Sequence, residues 1–138
     1  MNIALDVYLQ ENAGIPKKFD DCFLQFEDDR CYWFLYEFFE DLAKQSGQMI
    51  DLYDGAFFKG EHLELLNQTV QQGKEVISQK PDVWEEFIGT TFEKGVRTKV
   101  KKIYSTVHRK ELESILAKLE KAISKAKEKN IGILFFGD

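Results

Sequence analysis

Between residues 30 and 43 the apolar and aromatic positions recur at helical spacing in two adjacent stripes. Cys31, Leu35, Phe38 and Leu42, with Phe34 beside them, form one, and Tyr32, Tyr36, Phe39 and Ala43 form the other, about 100° round the axis. One stripe seats a surface helix. Two neighbouring stripes predict a helix covered over more than half its circumference, with the rest of the domain packed around it. Asp28 and Asp29 precede it, where carboxylates accept unpaired N–H groups and meet the positive end of the helix dipole. Gly47 suits its end, so the helix is expected over about residues 29 to 45.

Upstream, Ile3, Leu5, Val7 and Leu9 alternate with Asn2, Asp6, Tyr8 and Gln10, the period of a half-buried strand. Glu11 to Lys18, with Gly14 and Pro16, reads as a loop. Phe19 to Phe26 fits a short strand or a helical turn equally. Downstream, Met49 to Phe58 reads as an extended segment broken at Asp54-Gly55, a turn-forming pair. A second helix is expected over about residues 60 to 79, apolar at Leu63, Leu66, Val70 and Ile77 and stopped by Pro81. Val83 to Phe92 and Val96 to Val107 read as an antiparallel hairpin turning near Glu93-Lys94-Gly95.

A third helix, over about residues 108 to 129, sets Leu112, Ile115, Leu116, Leu119, Ile123 and Ala126 on one face and lysines on the other. Ile131 to Phe136 is almost wholly apolar, which predicts a strand buried inside a sheet. The expected architecture is a single α+β domain over residues 1–138: a mixed, mostly antiparallel sheet of about four to six strands packed with three main helices.

Charge changes the picture. Residues 1–66 hold 14 Asp and Glu against 5 Lys and Arg, and residues 67–138 hold 10 against 14, within a net charge of −5. Asp20, Asp21, Glu27, Asp28, Asp29, Glu37, Glu40 and Asp41 fall within 22 residues. A field of that sign repels nucleic acid and attracts basic proteins. Arg97, Lys99, Lys101 and Lys102 lie on one strand, and lysines there protect an exposed sheet edge. No nucleic-acid partner is expected.

Catalysis has little to work with. His62 and His108 each sit near an expected helix start, where an imidazole serves as a surface or capping group. The motifs of serine hydrolases, phosphate-binding loops, dinucleotide folds and zinc proteases are all missing from the sequence. Cys22 and Cys31 lack metal or redox spacing and read as reduced core residues. No catalytic residue, metal or cofactor is expected. The first ten residues carry Asp6 and no Lys or Arg, unlike a secretory signal, and no apolar run is long enough for a membrane span. A cytoplasmic protein without a membrane partner is expected.

The order of parts is itself informative. An acidic aromatic helix is followed by Asp51-Leu52-Tyr53-Asp54-Gly55-Ala56-Phe57-Phe58 feeding a leucine-bearing helix, then by Ile103-Tyr104-Ser105-Thr106-Val107 feeding another, then by Leu134-Phe135-Phe136-Gly137-Asp138. From about residue 28 onward this resembles small bacterial proteins that include immunity proteins of polymorphic toxin and contact-dependent growth inhibition systems. The resemblance implies a non-enzymatic inhibitor that binds a cognate toxin domain. It carries over no functional residues, because such interfaces diverge with their toxins.

A nuclease toxin presents a basic, phosphate-binding cleft, which an acidic surface bearing tyrosines can block. Asp28, Asp29, Tyr32, Tyr36, Glu37, Glu40 and Asp41 are the expected contacts, in a monomer or weak homodimer. The competing readings are a small enzyme of unrecognised type using His62 or His108, and an adaptor or subunit that docks a partner through its aromatic stripe.

Overall fold

The alternation at the start of the chain becomes the second strand of a four-stranded sheet, in a computed structural model that describes residues 5–16, 22–26, 30–93 and 96–137. In chain order the elements are β1 (Leu5–Gln10), β2 (Leu24–Phe26), α1 (Arg30–Ser46), β3 (Gly55–Phe58), α2 (Glu61–Ser78), β4 (Val83–Glu93), β5 (Val96–His108), α3 (Arg109–Lys129) and β6 (Gly132–Gly137). The main sheet runs β2-β1-β6-β3, and all its pairings are antiparallel.

β6 lies between β1 and β3, which explains its composition. Ile133 and Phe135 face the helices together with Leu5, Val7, Ala56 and Phe58. Phe58 and Phe135 meet edge to face, with ring centroids 5.7 Å apart. Leu134 points the other way and is still only 3% exposed. Tyr8, grouped by alternation with the polar positions, is also buried there. Both sides of this strand pair are therefore covered, and strict alternation gives way to apolar residues on both faces.

The three helices pack against one another and the sheet, with α2 touching both α1 and α3. Gly73 marks the crossing: a Cβ added there would lie 3.3 Å from Leu116 Cδ1 and 3.7 Å from Leu35 Cδ2. Polar pairs close the rim. Gln71 and Lys74 donate to the Glu120 carboxylate at 2.6 and 3.0 Å, holding its pKa below the ordinary value, and Lys127 pairs with Glu64.

α1 matches the two-stripe pattern, since Cys31, Tyr32, Phe34, Leu35, Phe39 and Leu42 are buried. Gly47 ends it with φ 74° and an N–H donated to the Ala43 carbonyl. Asp28 and Asp29, expected at its start, lie outside the described residues. Of the ambiguous stretch from Phe19 to Phe26, residues 24–26 form β2.

The hairpin differs from expectation in one respect. β4 and β5 pair with each other and form a separate two-stranded sheet. Its base is anchored: Val107 is buried, Trp84 meets Phe34 edge to face at 5.4 Å, and Arg109 donates to the Lys80 carbonyl and pairs with Asp82.

One close approach yields a prediction. The Gly137 N–H donates to the Asp54 carbonyl at 2.9 Å, and a Cβ on Gly137 would overlap the backbone of Leu52 and Asp51. Gly137→Ala is expected to lower the unfolding free energy by about 1–3 kcal/mol, the usual cost of overpacking. Urea denaturation measures it.

Candidate functional site

The acidic surface is built by α1 and the turn that follows it. Glu37, Glu40 and Asp41 are exposed on α1. Among the described residues only Asp41 of these approaches a cation, Lys44 at 3.9 Å, and both of those side chains are largely in water, where such a pair adds little. The turn over residues 51–54 is set by its own carboxylates: Asp51 accepts the Tyr53 N–H at 2.8 Å and Asp54 accepts the Gly55 N–H at 2.7 Å. This is turn chemistry of the kind Asp favours. It leaves Tyr53 66% exposed.

The two tyrosines expected as anchors have different fates. Tyr32 is buried, and its hydroxyl donates to the Ile50 carbonyl at 2.9 Å, so it is core and offers no surface to a partner. The residues that cover it follow α1 in sequence, which the helical stripe alone does not reveal. Tyr36 is half-buried against Tyr32 and Trp33, with centroids 6.0 and 5.5 Å away. Burial, then the charge of Asp51, then Tyr36 and Glu40 push the Tyr32 pKa above its ordinary value of 10.0. Asp51 therefore belongs with Glu40 to one negative neighbourhood, bridging the helix and the turn. Asp51, Tyr53 and Asp54 are absent from the expected contacts, where only the Asp54-Gly55 pair signalled a turn.

Tyr32 supplies a stability test. Tyr32→Phe leaves the buried Ile50 carbonyl unsatisfied and is expected to cost about 1–3 kcal/mol at neutral pH. The wild-type advantage is fully present below pH 10.0, the ordinary tyrosine value. It declines as the pH rises further, because the unfolded chain then ionises Tyr32 before the folded one does. Melting curves of both proteins from about pH 7 to pH 11 check this.

The groups considered for catalysis do not converge. His62 lies in the first turn of α2 and His108 at the start of α3, where it makes no side-chain capping hydrogen bond. The Cys22 thiol donates to the Leu24 carbonyl, and burial raises its pKa; Cys31 is buried. Among the described residues no three His, Cys, Asp or Glu side chains cluster as metal ligands. A groove of about 460 Å³ beside the start of α1 is lined by Arg30, Lys110, Glu111 and Lys118 among others, and neither histidine reaches it.

Comparison with protein-family models, with curated proteins and with solved structures returned no match. Among the described residues no helix is long and apolar enough to cross a membrane. The surface features are therefore what a functional reading has to rest on. Two stand out: the acidic surface with Tyr53, and the lysine-bearing hairpin, where Lys99, Lys101 and Lys102 are exposed.

Proposed function

We propose that this protein is a cytoplasmic inhibitor of the immunity type, which binds a basic toxin domain, a nuclease by preference, and blocks its active cleft. The observation that carries the reading is an exposed tyrosine, Tyr53, in a turn held by the carboxylates Asp51 and Asp54, which follows a helix that exposes Glu37, Glu40 and Asp41. Aromatic anchors hold most of the energy of an interface, while surrounding charge governs encounter. The resemblance to immunity proteins supports the same reading. In this account Tyr53 replaces Tyr32 as the anchor, with Tyr36 at the rim.

The test is protection. Co-expression with a cognate toxin domain is expected to restore growth of a poisoned cell. Growth should fail when Glu37, Glu40, Asp41 and Asp51 are replaced by their amides, which leave the fold intact because all four side chains reach solvent. Undiminished protection by that variant would remove the acidic surface from the mechanism.

A further inference from the structure

The β4–β5 hairpin carries features that the inhibitor reading does not use. Along β5, residues 100, 102, 104 and 106 share one face and residues 99, 101, 103 and 105 the other. The register sets Phe87 against Tyr104 and Glu85 against Thr106. Val83, Phe87, Tyr104 and Val100 therefore lie on one face, at 48%, 53%, 52% and 62% exposure. They are apolar positions on the face that points away from the domain, interrupted by Lys102 between Val100 and Tyr104 and by Glu85 and Thr106 between Val83 and Phe87, with Phe87 and Tyr104 in contact at 5.8 Å.

The lysines are arranged differently. Lys99 and Lys101 lie on one face of β5 and Lys102 on the other, all three exposed, and none is paired with a carboxylate among the described residues. What they share is an edge. β5 pairs only with β4 among the described strands, so every second N–H and C=O along its other side is open to a further strand.

We propose that the open edge of β5 between Lys99 and Tyr104 receives an added strand from an acidic protein segment in which carboxylates alternate with apolar residues. Carboxylates of such a strand face Lys99 and Lys101, while its apolar residues stand beside Val100 and Tyr104 and cover the stem of Lys102 between them. A third strand also stabilises a ribbon that is marginal with two. The proposal is independent of the inhibitor reading, since it concerns another surface and a partner of opposite charge.

Two other occupants fit less well. A second copy pairing β5 with β5 in a register centred on the lysines would bring lysines opposite lysines, which destabilises a ladder, and the β4 edge is interrupted by a register shift between Phe87 and Gly89. Single-stranded nucleic acid stacking on Phe87 and Tyr104 would meet Lys102 alone of the three lysines, with Glu85 on the same face.

The experiment uses the full chain and three fluorescent probes: a peptide of roughly ten residues alternating Glu and Val, the same peptide with alternate amides N-methylated, and an oligothymidine of similar length. The Glu-Val peptide is expected to bind saturably and to slow amide exchange at residues 99–104. Affinity should fall about tenfold or more on N-methylation, and by a similar factor in the Lys99→Ala/Lys101→Ala double variant. Equal binding of the N-methylated peptide would reduce the effect to unspecific charge and overturn the proposal. Preference for oligothymidine would overturn it in favour of nucleic acid. No saturation by about 1 mM peptide, with the double variant self-associating, would show that the lysines only guard the edge.

Discussion

A chain ending at Gly132 will not fold. It lacks β6, the strand to which β1 and β3 both pair, over registers running from Gln10 to Leu5 on one side and from Phe58 to Gly55 on the other. It also loses the buried side chains of Ile133, Leu134 and Phe135, each supplying about 1.5–3 kcal/mol of burial. Domains of this size have about 5–15 kcal/mol of stability in all, so the loss of three such groups with two ladders exceeds what remains. Phe135→Ala alone is expected to cost about 3–5 kcal/mol. Circular dichroism of the shortened chain should show no cooperative melting. If it melted as the full chain does, β6 could not be the centre of the sheet.

Removing Tyr53 is expected to have the largest effect of any exposed residue on toxin binding. Tyr53→Ala deletes a side chain that is 66% exposed and makes no core contact, so its fold should be unchanged. Its dissociation rate should rise to the extent of a hot-spot loss, about 2 kcal/mol or more, roughly 30-fold. Amide replacement of Glu37, Glu40, Asp41 and Asp51 should act on association instead, slowing it by a factor of about 10 to 10³ at low salt. Asp51→Asn keeps an acceptor for the Tyr53 N–H, so the turn survives the loss of charge. Tyr32→Phe is the control: it weakens the fold and leaves binding by the folded protein unchanged. A dissociation rate unaltered by Tyr53→Ala would show that the anchor lies elsewhere.

Helices and the buried strand were legible because long periodic segments state their own environment. α1, α2 and α3 each begin and end within a residue or two of the expected positions, and the apolar run at Ile131 to Phe136 contains the central strand. Local pattern says less about what a face meets. Tyr32 shares a helical stripe with Tyr36, yet the segment around Ile50 covers only the first, and nothing in the periodicity of α1 separates them. Alternation likewise misplaces Tyr8, since it assumes one wet face, whereas Tyr8 and its partner Leu134 are both buried. The hairpin is legible in the sequence as a pair of strands, whereas its separation from the main sheet depends on long-range pairing that no short window encodes. The carboxylates of α1 are visible as a charge cluster; Asp51 shares the surroundings of Tyr32 with Glu40 only through the path of the chain after Gly47.

Capture of a basic toxin by charge on α1 and the 51–54 turn, as proposed, predicts a particular dependence of association kinetics on salt. With the purified toxin domain, the association rate of the wild-type protein should fall steeply as ionic strength rises, because the charges involved are exposed and screened within about 10 Å at 0.1 M salt. The variant with Glu37, Glu40, Asp41 and Asp51 replaced by amides should start slower and show a flatter dependence. An association rate indifferent both to salt and to those four replacements would rule out electrostatic capture by this surface.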